Sequence, residues 1–195
     1  MNGEPDAEDS VLLRAALATR LSRSRLAHVE RVVVIANRLA ELWGVEGEPV
    51  LRAAWLHDCA RELRLEEQQS LLLPSRWDEA AALGWHGPAG AVLAWQAFEE
   101  TDLGVLDAIK YHSVPLADES DLAKLIFVAD KLDAGPAQLG STMEILPIQC
   151  PSPDLGLLYA VETRIRKGID RRRPLHGRDV AAHAVLLERV GRGPT

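Results

Sequence analysis

Six side chains of this sequence have the types and spacing to bind metal, and four of them are histidines in or beside apolar, helix-forming segments. The set consists of His28, His57, Asp58, His86, His112 and Asp130. Imidazole and carboxylate groups that face a core are costly unless they are paired, hydrogen-bonded or coordinated. Together they suit Zn, Mn or Fe, and six such groups fill most of two coordination spheres.

Each group taken singly has a plainer interpretation, as a hydrogen-bonded core histidine or as an aspartate that caps a helix. The set as a whole favours metal binding, because six such groups fill most of two coordination spheres. Two metals about 3.5–4 Å apart form a clamp for in-line phosphoryl displacement. His176 and His183 fall outside the pattern, and we expect them to be ordinary surface residues or to support the site from outside.

The elements that position these residues are predicted to be helices. Leu and Ala dominate, and no segment alternates convincingly as a strand does. His28 shares a face with Val32, Ile35 and Leu39, so it should point inward. Helices are predicted over about residues 23–43, 49–63, 66–72, 76–83, 87–98, 104–112, 121–133, 154–170 and 178–190, with a break in the proline-rich segment 146–153. The short connections predict a compact all-α bundle.

Length and composition predict one domain of an ordinary globular class. The chain has 195 residues, of which 47% are apolar and 26% charged. No apolar run approaches the ~18 residues of a membrane span, and the acidic start does not resemble a signal peptide. The two cysteines, Cys59 and Cys150, are too few for a disulfide framework, so we expect a cytoplasmic protein in which Cys59 is a small buried residue.

The net charge of -7 argues against a nucleic-acid polymer as a partner. The charge is uneven, because residues 164–192 carry nine basic and three acidic side chains. The default interpretation of this basic segment is a solvated face beside a helix end. A role in attracting phosphate is left open.

Five strings carry a family resemblance. They are RLAH (25–28), AAWLHDCAREL (53–63), LGWHGPAGA (83–91), AIKYHS (108–113) and KLIFVADKLD (124–133). Their order, with 18 residues from His112 to Asp130, resembles the HD-domain metal-dependent phosphohydrolase superfamily. More narrowly it is similar to the YqeK-like branch, the symmetrical bis(5′-nucleosyl)-tetraphosphatases. The resemblance predicts a single HD domain over 1–195, with a core at about 20–135 and a C-terminal helical segment at about 154–190.

The resemblance also implies a mechanism. Asp58 would bridge two metals, with His28, His57 and Asp130 completing one shell and His86 and His112 completing the other. The resemblance suggests iron, with manganese or another divalent metal as alternatives. A hydroxide held on the metals would attack phosphorus in line and split diadenosine tetraphosphate into two ADP. No protein nucleophile is needed, and a homodimer is implied.

Three basic residues are the predicted substrate contacts. Arg61 matches a lysine of the family, follows Asp58 by three on the same predicted helix, and is predicted to be catalytic as well as substrate-binding. Lys124 and then Arg25 are the next candidates for contact with the substrate. Each could instead be a surface cation or an ordinary ion-pair partner. Trp55 and Trp85 could border a nucleotide pocket, although tryptophans are more often core residues.

Two loops depart from the family pattern, after His112 and after Asp133, and both lack an arginine that the family shows there. The reaction type is therefore implied more firmly than the substrate. Three alternatives stay open: a related phosphohydrolase acting on another nucleotide or phosphate ester, a di-iron oxygenase, and a non-catalytic nucleotide-binding module.

Overall fold

A computed structural model describes residues 5–191, and within that range it contains α-helices and no β-strand. The eleven helices of this range are α1 Pro5–Ala18, α2 Arg23–Trp43, α3 Gly47–Leu56, α4 Leu65–Ser70, α5 Trp77–Leu83, α6 His86–Ala97, α7 Leu103–Tyr111, α8 Asp121–Leu132, α9 Leu139–Gln149, α10 Pro153–Asp170 and α11 Gly177–Gly191. Short 3₁₀ turns precede α5 and α9. The all-α prediction is confirmed. Residues 1–4 and 192–195 of the predicted domain span, including Arg192, lie outside the described range.

Helices α2 and α8 form the centre of the bundle. α8 packs against α2, α3, α7 and α10, and it buries an uninterrupted apolar run from Leu125 to Ala129. α2 buries Val32, Ile35 and Leu39 on the face that also carries His28, as the sequence pattern predicted. Each fully buried aliphatic side chain contributes about 1.5–3 kcal/mol. The packing therefore fixes both helices as rigid supports.

The start of α2 is tied to the segment that follows α3. Ser22 caps α2, since its hydroxyl accepts a hydrogen bond from the Arg25 amide at 3.3 Å. The Ser22 hydroxyl and amide donate to the Glu62 carboxylate at 2.6 and 2.5 Å. α2 ends at Trp43 and is capped by Gly44, whose φ of 67° is the left-handed conformation that glycine adopts without strain.

The helix predicted over about residues 49–63 ends earlier, at Leu56, and residues 57–63 form successive turns. Their backbone bonds reach back three residues, as from the Arg61 amide to the Asp58 carbonyl at 2.9 Å. The prediction that His57, Asp58 and Arg61 share one helix is therefore wrong. The tighter turns give these side chains directions that a continuous helix would not provide.

Two further elements differ from the prediction. α1 was not predicted, yet it buries Leu13 and Leu17 against the core. No helix was predicted between residues 133 and 154, and 146–153 was predicted as a break, but α9 runs through Pro147 to Gln149 and the break is confined to residues 150–152. The Trp43 indole donates to the Cys150 carbonyl at 2.8 Å, so tertiary contact fixes where the chain turns.

The remaining predicted helices agree with the structure to within a few residues at each end. Within residues 5–191, no helix has the length and apolar character needed to traverse a bilayer.

Candidate metal centre

The six residues predicted as metal ligands come together at one end of the bundle. α2 and α6 begin at this end, and α3, α7 and α8 finish there. The elements supply them in chain order: His28 from α2, His57 and Asp58 from the turn after α3, His86 from the start of α6, His112 from the end of α7 and Asp130 from the last turn of α8.

The donor atoms form two groups, and in each the atoms lie within 4.8 Å of one another. The His28 group consists of His28, His57 and Asp130, and the Asp58 group consists of Asp58, His86 and His112. This is the same division that the family resemblance implies. Asp58, His57 and His112 are all buried, so the centre is largely shielded from solvent.

Asp58 lies between two pairs of histidines and presents one oxygen to each pair. Its Oδ2 lies 3.7 Å from the Nε2 atoms of both His28 and His57. Its Oδ1 lies 3.7 Å from His86 Nε2 and 3.5 Å from His112 Nε2. A carboxylate in this position can bridge two ions.

Backbone carbonyls orient two of the histidine rings. His57 Nδ1 lies 2.7 Å from the Ala54 carbonyl, and His112 Nδ1 lies 2.7 Å from the Ile109 carbonyl. The acceptor is three residues earlier in both cases, at the end of a helix where carbonyls lack helical partners. A carbonyl accepts only from a protonated Nδ1, so each Nε2 keeps its lone pair for the centre.

A carboxylate performs the same task for His28. Asp133 Oδ2 lies 2.7 Å from His28 Nδ1, and the Arg31 guanidinium donates to both Asp133 oxygens at 2.7 and 2.8 Å. Sequence reasoning noted Asp133 in a motif but gave it no role, and it missed Arg31. Their spacing was a usable signal, because Arg31 follows His28 by three residues and Asp133 follows Asp130 by three.

The environment sets the protonation of the histidines. Burial lowers the pKa of His57 to about 4 and that of His86 to about 3, despite the nearby Asp58 carboxylate. Both rings are therefore neutral at pH 7, the form that coordinates metal. His28 differs, since the Asp130 and Asp133 carboxylates outweigh burial and raise its pKa.

The aspartates are held ionised. Burial by itself would raise their pKa values, but interactions with neighbouring side chains outweigh it. The His57 and His112 rings hold the pKa of Asp58 below its usual range. Lys131, whose ammonium contacts the Asp130 carboxylate, does the same for the pKa of Asp130. Ionised carboxylates are the form that binds a divalent cation.

Two buried nitrogens indicate that the arrangement fits a metal. The Nε2 atoms of His28 and His57 are inaccessible to solvent, and no described residue makes a well-directed hydrogen bond to either, although Asp130 Oδ1 lies 3.1 Å from His28 Nε2. Donor atoms that share one first-row ion at ~2.1 Å lie roughly 3–3.5 Å apart. The His28 Nε2–Asp130 Oδ1 distance of 3.1 Å and the His112 Nε2–Asp58 Oδ1 distance of 3.5 Å meet that spacing.

The close packing of α6 on α7 brings two of the histidines together. His86 Nε2 lies 3.2 Å from His112 Nε2. Gly87 allows this approach, because a Cβ atom at that position would lie 2.5 Å from the Lys110 carbonyl oxygen. The Ser113 hydroxyl lies 2.9 Å from His86 Nε2.

Arg25 and Arg61 both contact residues of the Asp58 group. Arg25 Nη1 lies 2.8 Å from Asp58 Oδ2. The exposed Arg61 side chain reaches His86, with Nη1 at 3.0 and 3.1 Å from the two ring nitrogens. Among the described residues no carboxylate lies within ion-pair distance of Arg61. This guanidinium is therefore available to an anion.

Lys124 contacts other residues. It is 9% exposed, so it is not the surface lysine of the plainer interpretation, and its ammonium lies 2.7 Å from Asp154 Oδ1. None of its described contacts is with the six clustered residues. The predicted order Arg61, Lys124, Arg25 is therefore not the order of proximity to the centre.

Several residues near the motifs do no chemistry in this arrangement. Cys59 is buried, as predicted, and burial raises the pKa of its thiol to about 12. Trp55 is a core residue whose indole lies 3.3 Å from the Ser10 hydroxyl. Trp85 packs edge-to-face against Trp77, with ring centroids 6.3 Å apart.

Comparison with known proteins agrees with this geometry. Residues 25–135 match the HD domain family. The chain is 30% identical over 127 residues to the Bacillus subtilis protein named bis(5′-nucleosyl)-tetraphosphatase, symmetrical, covering 63% of this chain and 68% of that protein. A protein of the same name from Halalkalibacterium halodurans is 29% identical over 118 residues, covering 58% of this chain and 63% of the relative.

A solved structure extends the similarity over most of the chain. It is a crystal structure from Clostridium acetobutylicum described as a "predicted HD superfamily hydrolase involved in NAD metabolism". The TM-score is 0.72 at 26% identity, with 91% of this chain and 96% of that chain covered. The expected superfamily is confirmed. This chain belongs to the HD domain family and is one of its hydrolases.

Proposed function

We propose that this chain hydrolyses dinucleoside polyphosphates symmetrically. Diadenosine tetraphosphate would react with one water molecule to give two ADP. The observation that carries the proposal is Asp58, whose two oxygens face two separate histidine groups. The names of the Bacillus and Halalkalibacterium relatives support the substrate class.

The chain's own residues would hold a pair of divalent metals, and we propose iron. His28, His57 and Asp130 would hold one ion, His86 and His112 the other, and Asp58 would bridge them. The histidine nitrogens and carboxylate oxygens suit Fe, Mn or Zn. Bound divalent metals would supply Lewis acidity at the phosphoryl oxygens and lower the pKa of a coordinated water.

Arg61 and Arg25 are the proposed phosphate contacts. Arg61 is exposed beside His86 and has no carboxylate partner in the part of the chain that the structure describes. Such a guanidinium can bind phosphate with two parallel hydrogen bonds. Arg25 already lies on Asp58, so it would contact a phosphoryl oxygen beside the bridging carboxylate. Because His57 and His86 are neutral, positive charge for a phosphate would come from other side chains, such as these two arginines.

The role of Lys124 as a substrate contact stays a prediction. Its ammonium would have to leave Asp154 before it could bind a phosphate. A cytoplasmic location and a homodimer likewise stay predictions. Light scattering of the purified chain would decide the oligomeric state.

The test is product analysis with iron-loaded and manganese-loaded protein. Diadenosine tetraphosphate should yield ADP alone, at the same rate with and without oxygen, and a chelator should stop the reaction. Metal analysis of the protein as purified would identify the native ion.

Each alternative gives a different result. Formation of ATP and AMP would contradict symmetrical cleavage. Turnover of mononucleotides or phosphate esters alone would overturn the substrate and leave a related phosphohydrolase. A requirement for oxygen would identify an oxygenase, and nucleotide binding without turnover would identify a binding module.

A further inference from the structure

The hairpin formed by α10 and α11 reaches the metal centre through one arginine. Arg164 of α10 donates from Nη1 to the backbone carbonyl of Ser113 at 3.0 Å. Ser113 directly follows His112, and its hydroxyl lies 2.9 Å from His86 Nε2 and 3.2 Å from His112 Nε2. Arg164 therefore fixes the residue that touches both histidines of the Asp58 group.

Arg164 is itself held from α11. Its Nη2 lies 3.3 Å from Asp179 Oδ2, and Asp179 is only 5% exposed. The other Asp179 oxygen is buried without a hydrogen-bond partner among the described residues. A buried carboxylate needs a cation beside it, and the planar guanidinium has a fixed fork geometry. Arg164 also lies 5.4 Å from the Phe127 ring centroid, so its direction is fixed on three sides.

The same hairpin also holds the C-terminal part of the loop between α7 and α8. Arg189 of α11 contacts the Ala117 carbonyl and the Asp118 carboxylate. The loop between α7 and α8 is therefore fastened by two arginines that lie outside residues 25–135, the segment that matches the HD domain.

We propose that Arg164 is a positioning residue for the Asp58 group, which makes the C-terminal hairpin part of the functional centre. The inference extends the proposed function and rests on it for the reaction that is followed. Removing Arg164 would release Ser113 and the end of α7, and the His28 group would keep its own supports from Ala54 and Asp133.

The experiment is a Mn²⁺ titration of the full chain by calorimetry, with the wild type, Arg164→Ala, Arg164→Lys and Arg166→Ala. We expect Arg164→Ala to weaken one of two Mn²⁺ sites about 10–100-fold and to leave the other unchanged. We expect kcat to fall by a similar factor, with KM unchanged. Arg166 is exposed on the same helix and should behave as wild type.

A second pair of variants separates positioning from stability. Arg164→Lys keeps a cation beside Asp179 without the planar guanidinium, so it should restore part of the lost Mn²⁺ affinity. If Arg164→Ala does not fold, the titration of Arg164→Lys tests the proposal. Asp179→Asn should weaken the same site as Arg164→Ala. Two sites that are weakened equally, or that stay as in wild type, would overturn the proposal.

The two proposals can fail separately. If the wild type binds two Mn²⁺ and leaves diadenosine tetraphosphate intact, the proposed function fails. The role of Arg164 is then still decided by the titration.

Discussion

Asp133 holds His28 by the ring nitrogen opposite the metal centre, with 2.7 Å between Asp133 Oδ2 and His28 Nδ1. Arg31 fixes the same carboxylate through both of its oxygens. The carboxylate thereby sets both the tautomer and the direction of His28, so that Nε2 faces Asp130 and Asp58.

Loss of the Asp133 support should weaken one of the two metal sites. Asp133→Ala should weaken the metal site of the His28 group about 10–100-fold, because the ring loses its fixed direction. The Asp58 group should keep its affinity, which a two-site metal titration would measure. Asp107→Ala changes an exposed aspartate of α7 and is the matched control. Equal loss at both sites would contradict the assignment.

Substitution of the shared carboxylate should act on both sites. Asp58→Ala removes an oxygen from each group, so we expect neither metal to bind tightly and hydrolysis to stop. Atomic emission analysis of the dialysed protein would measure metal content, and circular dichroism would verify folding. Full metal content with full activity would contradict the whole assignment. Asp170→Ala, at an exposed position of α10, controls for a simple change of charge.

Arg61 should matter for substrate rather than for metal. Arg61→Ala should raise KM for diadenosine tetraphosphate about tenfold or more, since a charge-assisted phosphate contact contributes about 1.5–3 kcal/mol. Metal stoichiometry should stay as in wild type, and Arg61→Lys should recover part of the effect. Arg38→Ala, which loses an exposed pair with Glu41, is the control. An unchanged KM would exclude Arg61 from phosphate binding.

The metal-free protein should lose stability as the pH falls from 6.5 to 4.5. His57 and His86 have pKa values of about 4 and 3 in the fold and about 6.5 when unfolded, so in this window the unfolded chain binds more protons. The raised pKa of His28 does not offset this, because its stabilisation is present below 6.5 and is lost only at higher pH.

Urea unfolding with a chelator at pH 6.5, 5.5 and 4.5 would measure a loss of roughly 2–4 kcal/mol. His86→Gln should remove about half of this dependence, because the contribution of His57 remains. His176→Gln, at an exposed position, should leave it unchanged. A profile that is flat for the wild type would show that the two rings are not buried in neutral form.

Both cysteines should resist thiol reagents in the folded chain. Burial raises the pKa of the Cys59 and Cys150 thiols to about 12, so almost no thiolate forms at pH 8. A colorimetric disulfide reagent should detect no reactive thiol in the native protein and two after unfolding. Rapid labelling of the native protein would contradict the burial of at least one of the two thiols.

The sequence was sufficient to predict the helices whose apolar residues recur at helical spacing. The apolar face of α2 predicted that His28 points inward, and Val32, Ile35 and Leu39 are buried beside it. The family and the all-α class followed from motif order and helix propensity.

The parts that could not be predicted depend on contacts between distant segments. Helix propensity continues past Leu56, but the chain turns there, where the His57 ring is directed to the Ala54 carbonyl. Pro147 is tolerated within α9, and no local pattern reveals the contact of Trp43 with Cys150 that sets the following turn. The periodicity of α10 likewise carries no sign that Arg164 reaches Ser113, 51 residues away.

The carboxylates of the centre each have a cationic side chain of the same chain against them. The pairs are Asp58 with Arg25, Asp130 with Lys131 and Asp133 with Arg31. Their mutual repulsion is therefore balanced by counterions that the polypeptide itself carries. Charge balance among the carboxylates at this end of the bundle therefore does not depend on a bound cation.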